Sequence, residues 1–210
     1  MKIVWFGHAS FRIESEGKNI YIDPYVLPKN SPPADIILVT HDHFDHCDRA
    51  KINEIRTEKT VVVATEKASK MIGGNVKKVK PGDTVEIGNI RIQAVHAYNK
   101  NKAFHPKGVG VGFVIEAEGK KVYHTGDSDY VPEMNSLKDL TAVLVPIGGT
   151  YTMDMEEAKN AVLAMKPKIA IPMHYNFLDG LEADAKEFKK KVESEGKIKV
   201  EILEGRSLEI

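Results

Sequence analysis

Four successive apolar residues, Ile36-Ile37-Leu38-Val39, lead through Thr40 into His41-Asp42-His43-Phe44-Asp45-His46, and this junction constrains the chain more than any other segment. An unbroken apolar run of strand length requires cover on both faces, as in a strand between two layers. The next six residues hold three histidines and two aspartates, a density that neither helical nor strand periodicity explains. They read as a strand-to-helix loop in which side chains converge. Imidazole and carboxylate in one loop suit zinc, manganese, iron or nickel.

The flanking segments supply the layers. Lys2 to Phe6, Ser10 to Glu14 and Asn19 to Asp23 read as strands, separated by turns at Gly7 and Glu16-Gly17-Lys18. Asp48 to Arg56 reads as a helix, Thr60 to Ala64 as a second buried strand, and the spacing of Ala68, Met71 and Ile72 as one face of another short helix. Val76 to Val95 returns to strands, with turns at Pro81-Gly82-Asp83 and Gly88-Asn89, and a polar loop spans His96 to Gly108. Val109 to Ala117 and Lys121 to Thr125 form a hairpin about Glu118-Gly119. Buried strands at Ala142 to Val145 and Lys168 to Ile171 alternate with helices, whose faces are Ala158, Ala161, Val162 and Met165, then Leu181, Ala185, Phe188 and Val192. Asp154 and Glu157 stand as N-cap and capping-box partner. Strand-rich stretches that twice give way to strand-helix alternation predict a four-layer α/β/β/α sandwich, with residues 1–210 as one domain.

Charge and cysteine content narrow the partners. Lys+Arg and Asp+Glu each total 30, so no global field recruits a nucleic acid. A small-molecule substrate is expected instead. The lone Cys47 excludes an internal disulfide and fits a reducing, cytoplasmic location. No apolar stretch reaches the ~18 residues of a membrane span. A homo-oligomer is compatible with the sequence.

Three further candidate ligands each follow a strand: His96 ends Ile90 to Val95, Asp127 lies past Lys121 to Thr125, and His174 lies past Ile169 to Ile171. Ligands gather beyond the carboxyl ends of strands in α/β architectures. The run His41-Asp42-His43-Phe44-Asp45-His46 resembles the His-x-His-x-Asp-His signature of the metallo-β-lactamase superfamily. The likeness extends along the chain through Trp5-Phe6-Gly7-His8-Ala9, Ile22-Asp23-Pro24, Tyr123-His124-Thr125-Gly126-Asp127-Ser128 and Ile171-Pro172-Met173-His174-Tyr175. This set is most similar to the ascorbate-6-phosphate-lactonase-like branch and also resembles the N-acyl-phosphatidylethanolamine phospholipase D type. The resemblance implies two divalent metals, zinc foremost. It assigns His41, His43 and His96 to one, Asp45, His46 and His174 to the other, and Asp127 to a bridge. Antibiotic-degrading relatives commonly carry cysteine where Asp127 stands, which argues against β-lactams as the native substrate.

The activity so implied is hydrolysis of a lactone, ester or phosphoester by a hydroxide bridging two metals, with Asp45 orienting it. His105, beside Pro106 in the long polar loop, is the candidate proton donor or substrate contact. Asp23 is the candidate outer acceptor for a ligand histidine, and His8 is a candidate lining residue. His124 reads as a hydrogen-bonded core histidine, and Tyr98, Tyr151 and Tyr175 fall near the expected rim. Three other readings remain: a phosphodiesterase or nuclease, a metal-binding scaffold without turnover, and a flavin-partnered diiron oxidoreductase. Oxidoreductases of that kind resemble the same signature but carry glutamate where His43 stands.

Overall fold

In the computed structural model, which describes residues 1–210, the chain forms two mixed seven-stranded sheets. The first begins as an antiparallel meander of β1 (Lys2–Gly7), β2 (Ser10–Ser15) and β3 (Lys18–Ile22). Glu16 and Gly17 link β2 to β3 with φ of 51° and 68°. Two successive positive φ values match the right-handed strand twist in a two-residue hairpin, and glycine takes one of them without steric cost. The chain then lays down β4 (Ile36–Val39), α1 (Arg49–Ile55), β5 (Val61–Ala64), α2 (Glu66–Ile72) and β6 (Val76–Lys78), with β3, β4, β5 and β6 paired in parallel.

The apolar run of β4 divides its side chains between two layers. Ile36 and Leu38 join a 44-residue core shared by both sheets. Ile37 and Val39 belong to a separate cluster with Ile52 and Ile55 of α1 and Ala68 and Ile72 of α2. This two-sided burial follows from the period of two along a strand. Met71 departs from the expected helix face: Ala68 and Ile72 are buried, whereas Met71 is exposed. On so short a helix, positions four apart suffice to cover the sheet, and Met71 turns to the rim.

The second half repeats the plan with β7 (Thr84–Ile87), β8 (Ile90–Ala97), β9 (Gly110–Ala117), β10 (Lys120–His124), β11 (Ala142–Pro146), α3 (Met155–Met165), β12 (Ile169–Met173), α4 (Ala185–Glu195) and β13 (Lys199–Val200). Strands β7 to β10 are antiparallel neighbours, and β10 to β13 are parallel. The last strand, β14 (Ser207–Glu209), crosses back to pair with β1. Asp48, Asp154 and Asp184 cap α1, α3 and α4 through their carboxylates, with Asp154 accepting from the Glu157 N–H. Leu181 is buried but precedes the helix that Asp184 caps. The sheets face each other with helices outside, the α/β/β/α sandwich expected. No helix is long and apolar enough to cross a membrane.

Two outcomes follow from this packing. Ile37→Ala should cost about 2–5 kcal/mol in urea unfolding, since it leaves a cavity beneath α1 and α2, whereas Met71→Ala should change stability by less than ~0.5 kcal/mol. Burial, aided by the negative charge of Asp23, Asp42 and Asp48, pushes the Cys47 thiol up to about 12. Folding therefore disfavours the thiolate, and iodoacetamide at pH 8 should label Cys47 only after denaturant is added, as mass spectrometry would read.

Candidate metal centre

Segments leaving the carboxyl ends of strands in both sheets meet at one rim of the sandwich. His8 follows β1, Asp23 follows β3, His41 to His46 follow β4, Asp127 follows β10 and His174 follows β12, while His105 lies in the loop between β8 and β9. Backbone hydrogen bonds seam the sheets there: Val111 N–H donates to the Thr40 carbonyl at 3.1 Å and His174 N–H to the His8 carbonyl at 2.9 Å. Gly126 shows how closely the chains approach. Its φ is 61°, and a Cβ would lie 2.7 Å from the Val111 carbonyl oxygen, so only glycine fits before Asp127.

The ligand-type atoms form adjoining groups. His41, His43 and His105 share one, and His8, Asp45, His46 and His174 another. Asp127 stands between them: Oδ1 is 3.2 Å from His46 Nε2, while Oδ2 is 3.2 Å from His174 Nε2, 3.3 Å from His105 Nε2 and 4.0 Å from His41 Nε2. Asp45 Oδ2 lies 2.8 Å from His8 Nε2 and 3.6 Å from His46 Nε2. His41, His46 and His174 Nε2, Asp127 Oδ1, His174 Nδ1 and His8 Nδ1 are buried without hydrogen-bond partners. An unpartnered buried polar atom costs on the order of 1–3 kcal/mol, so this convergence fits cations that would satisfy the lone pairs.

Outer groups aim the rings. Asp23 is fully buried and accepts from the Thr40 N–H at 2.8 Å, the Thr40 hydroxyl at 2.6 Å and His46 Nδ1–H at 2.7 Å. That bond leaves His46 Nε2 free to face Asp127 and Asp45. Burial opposes charge on His46, yet Asp127 and Asp23 outweigh it and hold the imidazole well above its ordinary value. Burial would raise Asp127, but His174 and His46 override it and keep the carboxyl well below the usual range. Asp45 is likewise lowered against its burial, chiefly by the His8 hydrogen bond and by His46. Burial, joined by the charge of His46, depresses His41 well below the usual imidazole range. Asp45, Asp127 and His41 are thus held in the forms that ligate metal, while at His46 a cation would have to displace the proton that Asp127 and Asp23 favour.

One expected ligand, His96, stands apart from the others. His96 joins none of these groups. β8 runs past it, pairing His96 with Val111 and Ala97 with Gly110, and His96 lines a separate groove with Pro81, Gly82, Tyr123 and Met134. The histidine beside His41 and His43 is His105, whose Nε2 lies 3.2 Å from His43 Nδ1. His105 Nδ1–H and backbone N–H both reach Asn99 Oδ1 at 3.0 Å, and Asn99 Nδ2 donates to Asp129 and to the Tyr151 carbonyl, each at 3.0 Å. Both ring nitrogens of His105 thus have partners within the protein. Asn99 carries no motif that would have singled it out.

The remaining candidates divide between site and core. His124 is fully buried, donating from Nε2 to the Ala9 carbonyl at 3.0 Å and accepting the Gly126 N–H at Nδ1. Tyr98 bonds Glu133, and Tyr175 stacks on Trp5 and bonds Glu204. Tyr151 alone of the three tyrosines lines the cleft above the centre, about 640 Å³ in volume, with Asp42, Phe44, Met71, Phe104 and Leu178 among its walls. Sequence reading missed these apolar walls, although Phe44 is conspicuous as an aromatic inside a polar loop.

His105→Ala should lower the metal bound per chain, as elemental analysis of dialysed protein would show, while His96→Ala should leave it unchanged. Loss of metal in His96→Ala alone would reverse the placement.

Comparison with known proteins places the chain in a family. The family described as the beta-lactamase superfamily domain matches residues 2–174. A UPF0173 metal-dependent hydrolase of Thermoplasma acidophilum is 40% identical over 207 residues, spanning 90% of this chain and 89% of that protein. Another, from Methanopyrus kandleri, is 37% identical and spans 100% of both chains. The solved structure of a metallo hydrolase from Ignicoccus hospitalis superposes with a TM-score of 0.84 at 29% identity, covering 100% of this chain and 98% of that one. The chain belongs to the metallo-β-lactamase superfamily and, within it, to the UPF0173 metal-dependent hydrolases.

Proposed function

We propose that the protein hydrolyses a lactone, ester or phosphoester of a small molecule at a pair of divalent transition-metal ions, zinc being the first choice and manganese, iron or nickel the alternatives. One observation carries the reading: buried, partnerless nitrogen and oxygen atoms of His41, His46, His174 and Asp127 converge beneath an open cleft. His41, His43 and His105 would hold one ion, Asp45, His46 and His174 the other, and Asp127 would reach both. Such a pair, when bound, supplies Lewis acidity and a water that ionises near neutral pH.

The residues divide the remaining work. Asp45 is kept ionised by His8 and His46, which suits it to ligate a cation and orient the attacking water. His8 holds Asp45 through Nε2 and is a positioning residue. Asp23 fixes the ring of His46. The cleft wall presents Asp42 and Asp179 and no lysine or arginine, which disfavours a polyanionic nucleic acid. An accessible cleft over the centre favours turnover over a sealed scaffold. A cytoplasmic location, where thiols stay reduced, fits the lone buried Cys47.

Zinc- or manganese-loaded protein should cleave at least one member of a panel of lactones, aryl esters and phosphodiesters, lose that activity to a chelator and regain it with metal. His41→Ala should lower kcat/KM by roughly a thousandfold or more. Asp127→Ala should lose tightly bound metal; two ions per chain retained in that variant would remove Asp127 from the bridge. Replacing His8 with Ala should lower kcat with KM nearly constant, because Asp45 loses the hydrogen bond that positions it.

A further inference from the structure

Four large apolar side chains are left exposed by the fold: Phe44 (67%), Phe104 (48%), Phe177 (45%) and Met71 (44%). Single exposed apolar residues need no explanation, but a shared patch does. Phe44, Met71 and Phe104 line the cleft over the metal centre although they come from three distant segments. Phe177, next to the cleft residue Leu178, lies with its ring 6.4 Å from that of His8. The rings are braced: Phe104 meets Tyr151 edge-on at 4.7 Å, and Phe44 meets Tyr25 edge-on at 6.0 Å. Rings held in place lose little entropy when a ligand packs between them.

The charges of the cleft point the same way. Beyond the metal-centre residues, its charged lining is Asp42 and Asp179, and it has no lysine or arginine. Lys102, two residues from Phe104, is spent on Asp129 at 2.8 Å and the Thr152 carbonyl at 2.6 Å. An anionic group held away from the reacting bond would meet two carboxylates and no cation to pair with.

We infer that the cleft selects a neutral or cationic substrate whose apolar acyl or aryl group packs against Phe44 and Phe104, and that it rejects substrates carrying a distal phosphate, sulfonate or carboxylate. The inference rests on the hydrolytic reading above only for the bond cleaved. There, the oxygen of water bonds to the acyl carbon, the carbon–oxygen bond to the leaving group breaks, and the departing oxygen takes a proton from that water. Recognition by the walls stands on the side chains alone.

Hydroxamates separate the two. In calorimetry on metal-loaded protein, acetohydroxamate reads coordination at the centre, while phenylacetohydroxamate and its para-trimethylammonium and para-sulfonate derivatives add a distal group. The phenyl compound should bind roughly tenfold tighter than acetohydroxamate, and the sulfonate roughly tenfold weaker than the ammonium compound. Phe44→Ala and Phe104→Ala should erase most of the phenyl preference and leave acetohydroxamate binding unchanged. Equal affinity for phenyl and methyl compounds, tightest binding of the sulfonate, or no binding of any hydroxamate would overturn the inference. So would a dimer, seen by ultracentrifugation, that Phe44→Asp dissociates, because the apolar rim would then belong to a second copy. Selective hydroxamate binding with no turnover of the corresponding aryl esters would uphold recognition and overturn the hydrolase reading.

Discussion

Asp23 is the small piece of chemistry on which the rim is built. Its carboxylate has no exposure, lies past the end of β3, and takes hydrogen bonds from the Thr40 backbone, the Thr40 hydroxyl and His46. A buried carboxylate without partners would cost several kcal/mol, so these bonds are obligatory. They tie the ends of β3 and β4 together and point one histidine of the ligand loop inward. The Thr40 carbonyl then receives Val111 from the second sheet. One ion-dipole cluster thereby sets both the approach of the sheets and the aim of a ring.

The cost of this arrangement appears in the backbone and in the unpaired atoms. His8, Asp23 and His174 have φ of 50°, 44° and 56°, a region that side chains other than glycine seldom occupy. Each lies past a strand end at the rim, and each places a ring or carboxylate that an extended residue would direct elsewhere. Strain of this kind persists where the surroundings over-determine it. Here the surroundings are two packed sheets, with His124 bonding across to Ala9 and His174 to His8. The partnerless Nε2 atoms of His41, His46 and His174 are then a second local cost that bound cations would offset.

Much of this was legible residue by residue. Ile36 to Val39 announced a strand covered on both sides, because a period of two leaves no polar face in such a run. The density of His41 to His46 marked a candidate ligand loop, and Asp127 and His174, which follow strands, come together with it at the rim. His96 and His105 could not be ranked the same way. Both sit near the end of β8, and local pattern does not say that the strand continues one residue past His96 or that the loop folds back. That choice is made by Asn99, which holds the His105 amide and ring from six residues away and is itself held by Asp129 and Tyr151.

The sequence by itself determined the layers, their order and the chemical character of the centre, since these depend on periodicity and on residue type within short segments. Tertiary structure decided that His105 rather than His96 lies beside His41 and His43, that His8 holds Asp45, and that Phe44, Met71 and Phe104 line one cleft. Those facts depend on contacts between segments far apart in the chain. Such contacts are set by how two twisted sheets meet, which no local pattern encodes.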